Sequence, residues 1–283
     1  MPNRIDDIFS RLRSSNRKAL MPFICGGFPS PGVTSAVLPA LERAGASIIE
    51  VGIPFSDPIA DGPVIAAAMH EALARGATPI SVFDEVAAAR GGVSAGIVAM
   101  VSISIVSKAG AGGPEAPRRF CERARGAGFD GLIVPDCPLE ESQALRDAAG
   151  AEGLSLSLLV APATPPRRAE EIVKACTGFV YLLARAGITG DSGGMGGGGG
   201  GPDTAMLEAR LSRLRQMTDL PIAVGFGIST PEHVREVVHK GGADAAIVGT
   251  ALVRTMGEAA REGKDPVAEA ESFIRLLGQG LGG

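Results

Sequence analysis

Two carboxylates, eleven residues apart, are the side chains best suited to proton transfer. Glu50 lies inside an apolar run, and Asp61 ends the segment I-E-V-G-I-P-F-S-D-P-I-A-D, which Gly62 follows. A carboxyl group in apolar surroundings is costly to ionise, so its pKa rises and it can exchange a proton near neutral pH. Two carboxylates in different environments can divide acid and base roles. We regard Glu50 and Asp61 as candidate catalytic groups. The alternative for Glu50 is a buried ion pair, and the alternative for Asp61 is a helix cap.

Two glycine-containing loops are candidates for binding a phosphate group. The sequence G-F-G-I-S at residues 225–229 follows one apolar run, and Gly249-Thr250 follows the next. Glycine lets backbone amides approach phosphate oxygens at a helix N-terminus, and a threonine hydroxyl adds a donor. The pattern predicts a phosphate site that includes Gly227, Gly249 and Thr250. Tight turns between strands and helices are the alternative.

A long connection at about residues 185–203 has an unusual composition. It begins R-A-G-I-T-G-D-S, and eight of the nine residues from 193 to 201 are glycine. Connections of this length without their own secondary structure are uncommon in compact domains, and many of them act as lids over a site. We predict that the first half is a working lid and that the glycine run is a spacer.

The groups named above lie in a chain that alternates short apolar runs with longer amphipathic stretches. Eight such units in roughly 260 residues are typical of an α/β fold, the (β/α)₈ TIM barrel, here as one domain over residues 1–283. Ile5, Ile8 and Phe9 recur at helical spacing and predict an extra N-terminal helix. A doubly wound open sheet is the alternative. The predicted strands are residues 19–25, 47–52, 96–101, 131–134, 154–160, 179–183, 221–224 and 245–248; the predicted helices are residues 33–44, 79–90, 116–127, 139–149, 167–175, 205–217 and 231–240.

Composition argues against several functional classes. The net charge is −4 and no basic block is present, so neither nucleic acid nor an anionic membrane is an expected partner. No apolar run is long enough to span a membrane, and acidic residues near the N-terminus argue against a secretory signal, so we expect a cytoplasmic protein. The three histidines lack metal-ligand spacing, and no metal site is expected. The four cysteines are widely separated and are expected to be reduced thiols.

Residues 49–62 closely resemble the signature segment of the tryptophan synthase α-subunit family. Three further segments are similar to that family, in matching order: P-D-C-P-L-E-E at 135–141, Y-L-L-A-R-A-G-I-T-G at 181–190 and G-F-G-I-S at 225–229. The similarity extends from about residue 5 to about residue 277. The long signature segment is specific, whereas the glycine loops alone are not.

The resemblance implies a reaction, the cleavage of indole-3-glycerol phosphate to indole and glyceraldehyde 3-phosphate. It implies that Glu50 is the acid and base serving indole C3 and the side-chain hydroxyl. It also implies that Asp61 accepts a hydrogen bond from the indole N–H and stabilises the cation that develops there. The substrate-binding residues it implies are Phe23, Tyr181, Thr189, Gly190, Gly227, Gly249 and Thr250.

The resemblance also implies a partner, a pyridoxal-phosphate (PLP) β subunit in an α₂β₂ heterotetramer, and no cofactor in this chain. One stretch departs from the family pattern, because Ser102 and Ser104 stand where the family usually has Tyr and Asn. This departure motivates one alternative, a non-catalytic activator of a β subunit. A different phosphosugar enzyme on the same barrel is the other alternative.

Overall fold

The computed structural model describes residues 3–58, 61–183, 204–225 and 227–282. Within these residues, nine parallel strands form one sheet in the order β5-β4-β3-β2-β1-β9-β8-β7-β6. Helices alternate with the strands, which confirms the predicted TIM barrel. The strands are β1 Ala19–Cys25, β2 Ile48–Gly52, β3 Gly96–Met100, β4 Gly131–Ile133, β5 Ser155–Ser157, β6 Leu159–Val160, β7 Val180–Leu183, β8 Ile222–Gly225 and β9 Ala245–Val248.

The helices include the predicted N-terminal one and several that the sequence pattern did not indicate. The predicted helix 139–149 is a 3₁₀ turn followed by the α-helix Gln143–Ala151, and the predicted helix 231–240 is the α-helix Pro231–Arg235 followed by a π-helical turn, Glu236–Lys240. The helices whose bounds the sequence did not predict are Pro63–Ala74, Ile103–Ser107, Thr250–Arg261 and Pro266–Gly278. The helices are α1 Arg4–Ser14, α2 Val33–Arg43, α3 Pro63–Ala74, α4 Pro79–Arg90, α5 Ile103–Ser107, α6 Ala116–Gly126, α7 Gln143–Ala151, α8 Pro166–Ala175, α9 Thr204–Arg215, α10 Pro231–Arg235, α11 Thr250–Arg261 and α12 Pro266–Gly278.

The ninth strand arises because the predicted strand 154–160 is interrupted at Leu158. Its first part, β5, pairs with β4, and its second part, β6, pairs with β7. Two side-chain hydrogen bonds connect β5 with the residues just before β7 at this break, which we call the seam. The Ser157 hydroxyl donates to the Phe179 carbonyl at 2.8 Å, and the Leu156 amide donates to Thr177 Oγ1 at 2.8 Å. Side-chain hydrogen bonds thus help to close the barrel where the strand is broken.

Ser157→Ala is expected to lower the free energy of unfolding by about 1–2 kcal/mol, because it removes a buried hydrogen bond at this seam. Urea unfolding at neutral pH measures the change. Ser155→Ala is the matched control, since the Ser155 hydroxyl is also buried but makes only a 3.5 Å contact with the Asp130 carbonyl. An equal loss in both variants would contradict the role assigned to the seam.

The barrel interior is filled at its N-terminal end. Phe9 of α1 packs there against Phe179, with ring centroids 6.0 Å apart. Side chains on a strand alternate between the two faces of the sheet. Glu50, two residues after the interior residue Ile48, therefore faces the interior nearer the C-terminal end. The apolar side chains of this inner cluster are Ile5, Ile8, Phe9, Ala19, Met21, Ile48, Val98, Ile133, Phe179, Tyr181, Ala223, Ala245 and Ile247.

The helices of the described residues include none that is both long and apolar enough to cross a membrane.

Candidate active site

Glu50 is a buried carboxyl group with no partner. Its side chain is fully buried in β2, and neither carboxyl oxygen has a hydrogen-bond partner within the described part of the chain. Burial raises the pKa of Glu50 from 4.5 to about 8. The alternative of a buried ion pair is therefore not supported by the described residues. A carboxyl group in this state is protonated at neutral pH and can donate a proton.

Asp61 lies in the loop that leaves β2, above the same end of the barrel. It is half-buried, and its amide donates to the Pro58 carbonyl at 3.0 Å. Burial, and secondly the charge of Asp136, raise the pKa of Asp61 from 3.8 to about 6. Gly62, rather than Asp61, is the N-cap residue of α3, and no side chain caps that helix. The described contacts thus do not support the alternative of a capping role, and Asp61 is mostly ionised at neutral pH.

Asp136 is a third carboxylate at this end of the barrel, after β4, and the sequence analysis gave it no role. It accepts hydrogen bonds from the Ser102 hydroxyl at 2.6 Å and from the Ile103 amide at 2.8 Å. Ser102 is the N-cap of α5 and also accepts from the Ser104 amide at 3.1 Å. Ser102 stands where the family usually has Tyr. Its hydroxyl is engaged in two hydrogen bonds, one to the Asp136 carboxylate and one from the first turn of α5. The signal available in the sequence was the position of Asp136 shortly after a strand.

Tyr181 on β7 lies close to both candidate catalytic groups. Burial, followed by the charges of Glu50 and Asp61, raises the pKa of its hydroxyl well above the usual value. Its hydroxyl also lies against Gly225 on β8, where an added Cβ would come within 2.9 Å of the phenolic oxygen. Any residue larger than glycine at position 225 would displace the tyrosine. The sequence pattern had assigned no such role to Gly225.

Phe23 forms an apolar wall beside Glu50. Phe23 of β1 and Glu50 of β2 are paired residues on adjacent strands, and the Phe23 side chain is buried. Its ring passes over Gly52, where an added Cβ would come within 2.5 Å of Cζ. The thiol of Cys25, two residues on, is buried beside Asp61, and burial raises its pKa, with the charge of Asp61 adding to this. Phe23 thus lies beside Glu50, and its contact with indole stays a prediction.

The residues predicted to bind phosphate lie at the ends of two neighbouring strands, since β8 pairs with β9. Gly249 is the N-cap of α11. Since glycine has no side chain, the first amides of that helix receive no side-chain cap from it. The Thr250 hydroxyl oxygen is buried and has no hydrogen-bond partner within the described residues. Gly227 is exposed, with φ +34°. Unpaired donors at a helix N-terminus are suited to an anion.

Two predicted site residues, Thr189 and Gly190, lie outside the described residues, as does the whole predicted lid and spacer at about 185–203. The described members of the predicted site are therefore Glu50, Asp61, Phe23, Tyr181, Gly227, Gly249 and Thr250. Among the described residues, no group of three or more His, Cys, Asp or Glu side chains is arranged to hold a metal ion.

Comparison with known proteins identifies the family. The sequence model described as tryptophan synthase alpha chain matches residues 9–280. The chain belongs to the tryptophan synthase alpha chain family. The tryptophan synthase alpha chain of Gloeobacter violaceus is 41% identical over 276 residues, which are 98% of this chain and 94% of that protein. The alpha chain of a Synechococcus species is 43% identical over 251 residues, 89% of this chain and 88% of that protein.

Solved structures agree with the sequence comparison. Tryptophan synthase subunit alpha from Legionella pneumophila superposes with a TM-score of 0.86 at 30% identity, covering 99% of both chains. A chain of Mycobacterium tuberculosis tryptophan synthase superposes with a TM-score of 0.84 at 29% identity, again covering 99% of both. Tryptophan synthase alpha chains cleave indole-3-glycerol phosphate to indole and glyceraldehyde 3-phosphate in tryptophan biosynthesis, so this chain is a lyase. They have no cofactor of their own and work with a beta subunit that holds PLP.

Proposed function

We propose that Glu50 and Asp61 perform the acid and base steps of this cleavage. The observation that supports the proposal best is that two carboxyl groups at one end of the barrel differ in pKa. Glu50, which is buried and has no hydrogen-bond partner among the described residues, has a pKa of about 8, and Asp61 has a pKa of about 6. At neutral pH the first is protonated and the second is ionised. These are the states needed by a proton donor and by a carboxylate that stabilises a cation.

The reaction begins when the Glu50 carboxyl group gives its proton to indole C3. Positive charge then develops at the indole nitrogen, and the Asp61 carboxylate accepts a hydrogen bond from that N–H and stabilises the charge. The bond between C3 and the side chain breaks, and its electron pair returns to the indole ring. The hydroxyl group on the departing carbon loses its proton to the Glu50 carboxylate and becomes the aldehyde of glyceraldehyde 3-phosphate. Glu50 is thereby protonated again.

We propose that the remaining predicted residues hold the substrate. Phe23 packs against the indole ring, Tyr181 lies beside the catalytic pair, and Gly249 and Thr250 bind the phosphate group together with Gly227. The unpaired Thr250 hydroxyl and the N-terminus of α11 support this placement. Thr189 and Gly190 are proposed, from the family resemblance alone, to close over the substrate from the lid.

The rate constant kcat/KM for indole release is expected to follow a bell-shaped pH profile. It rises as Asp61 loses its proton near pH 6 and falls as Glu50 loses its proton near pH 8. Asp136→Asn removes the charge that raises the pKa of Asp61, so the acid limb is expected to move to lower pH while the basic limb stays in place. A profile without a basic limb near pH 8 would contradict the role assigned to Glu50.

The proposed reaction is tested by supplying the purified chain with indole-3-glycerol phosphate, with and without a tryptophan synthase β subunit. Indole and glyceraldehyde 3-phosphate are expected to appear in equal amounts, faster when the β subunit is present. Absence of indole in both mixtures would overturn the proposal and favour the alternative of a non-catalytic activator.

We further propose that the whole chain forms one domain, that it assembles with β subunits as an α₂β₂ heterotetramer, and that it works in the cytoplasm. The match of the family model over residues 9–280 supports one domain. All four cysteines are free thiols, which suits a reducing compartment. Mass measurement of the mixture with the β subunit tests the assembly.

A further inference from the structure

We propose that His70 is a positioning residue for Asp61, because it fastens the middle of the loop between β2 and α3. The inference rests on the function proposed above for Asp61. His70 lies on α3, the helix that follows this loop, and its Nε2 lies 3.0 Å from the carbonyl oxygen of Ser56. Since the carbonyl accepts, Nε2 carries the hydrogen, and it does so in both the imidazolium and the matching neutral tautomer.

The rest of the loop is fixed at its two ends. At the start, the Ile53 amide donates to the Met100 carbonyl of β3 at 2.9 Å. At the other end, the Asp61 amide donates to the Pro58 carbonyl at 3.0 Å, and α3 begins at Pro63. In the described part of the loop, the His70 contact is the one hydrogen bond that joins residues 54–58 to α3.

Ser56 connects this contact with the remainder of the loop. Its carbonyl accepts from His70, while its hydroxyl donates to Asp57 Oδ2 at 2.6 Å. Pro58 comes next, and its carbonyl holds the amide of Asp61. A short series of contacts therefore leads from α3, through the loop, to the backbone of the catalytic candidate.

Within the described part of the loop, the segment that His70 contacts is the most exposed. Ser56 and Asp57 are exposed, in contrast to the fully buried Glu50 on the strand. Loop segments with few buried contacts open easily. The rate depends steeply on where a charge that stabilises a transition state is held, since a small displacement of the charge weakens the stabilisation. His70 thus acts on catalysis through the geometry of Asp61 and has no contact with the reacting atoms.

The chain provides a matched control in His239. Its Nε2 lies 3.2 Å from the carbonyl oxygen of Leu281, so it is a second exposed histidine bound to a backbone carbonyl, in this case of the C-terminal segment. His70→Gln is the conservative variant, because the Gln amide nitrogen can take the place of imidazole Nε2. Comparison of His70→Ala, His70→Gln and His239→Ala separates positioning of Asp61 from a general effect of losing a surface histidine.

The experiment measures kcat and KM for indole-3-glycerol phosphate, thermal stability, and hydrogen exchange of the Asp61 amide, which donates to the Pro58 carbonyl, all on the full chain. His70→Ala is expected to lower kcat by roughly 3- to 10-fold, the range that one hydrogen bond supports, with KM almost unchanged because Asp61 acts in the transition state. Exchange of the Asp61 amide is expected to rise by a similar factor. His70→Gln is expected to restore both quantities, and His239→Ala to change neither.

Several results would overturn the proposal. These are an unchanged kcat in His70→Ala, an equal loss in His239→Ala, a loss that His70→Gln does not restore, and a loss explained by unfolded protein. If amide exchange is unchanged in His70→Ala, the proposal that His70 holds the loop is overturned, whatever the activity of the variant. If the wild-type chain releases no indole, the proposed function fails, and the exchange measurement still decides whether His70 holds the loop.

Discussion

Replacing Glu50 with Gln is expected to slow indole release by roughly 100- to 10,000-fold, the range associated with loss of a general acid and base. Gln has nearly the same shape and remains polar, so the pocket stays filled. It has no proton to give to indole C3 and cannot accept one from the substrate hydroxyl. Because the proton moves in the transition state, kcat falls and KM changes little. Steady-state assays of indole release measure both constants.

Stability provides the control for Glu50→Gln. The pKa of Glu50 is raised by folding, so its contribution to stability is fully present below the unfolded pKa of 4.5 and is lost as pH rises through about 8. The Gln variant has no such titration and is expected to be at least as stable as the wild type, with an advantage that grows between pH 4.5 and about pH 8 and stays constant above it. Glu141→Gln, at an exposed carboxylate after β4, is expected to leave the rate unchanged. A rate near the wild-type value in Glu50→Gln would show that the acid is another group.

Replacing Asp61 with Asn is expected to slow the reaction by at least roughly 100-fold, as observed when preorganised electrostatic stabilisation is removed from an active site. Asn can still accept a hydrogen bond from the indole N–H. It lacks the negative charge that stabilises the cation formed when C3 is protonated. The loss is therefore expected in kcat, and the acid limb of the pH profile near pH 6 is expected to disappear with it.

Asp57→Asn is the matched control for Asp61→Asn, because Asp57 lies in the same loop but is exposed. The side-chain amide introduced by this substitution would still accept the hydrogen bond from the Ser56 hydroxyl that Asp57 now accepts. Assayed without a β subunit, this variant is expected to keep the wild-type rate. Equal losses in the two variants would mean that the loop, and not the charge of Asp61, determines the rate.

The sequence predicted the architecture well because the eight apolar runs are each bounded by turn signals. Strands 19–25 and 245–248 were predicted to the residue. The break at Leu158 was missed, since residues 154–160 (L-S-L-S-L-L-V) contain no glycine or proline to mark it, and the break depends on which neighbour each half pairs with. Helix α5 was missed because its Ile and Val residues are typical of a strand and directly follow one.

For the site, the sequence predicted the groups that depend on local pattern and missed those that depend on distant neighbours. Glu50 was recognisable because a carboxylate interrupts an apolar run. The requirement for glycine at Gly225 comes from Tyr181 on the adjacent strand, which no local pattern reveals. The roles of Asp136 and His70 likewise depend on partners, Ser102 and Ser56, which the fold brings next to them.

The central claim is that Glu50 and Asp61 act together in one transition state, and the double variant Glu50→Gln with Asp61→Asn tests it most directly. The measurement is kcat for indole release by the wild type, the two single variants and the double variant under one set of conditions. Residues that act as a unit show strongly non-additive losses. We expect the double variant to be about as slow as the slower single variant. A double variant whose loss equals the product of the two single losses would contradict the claim.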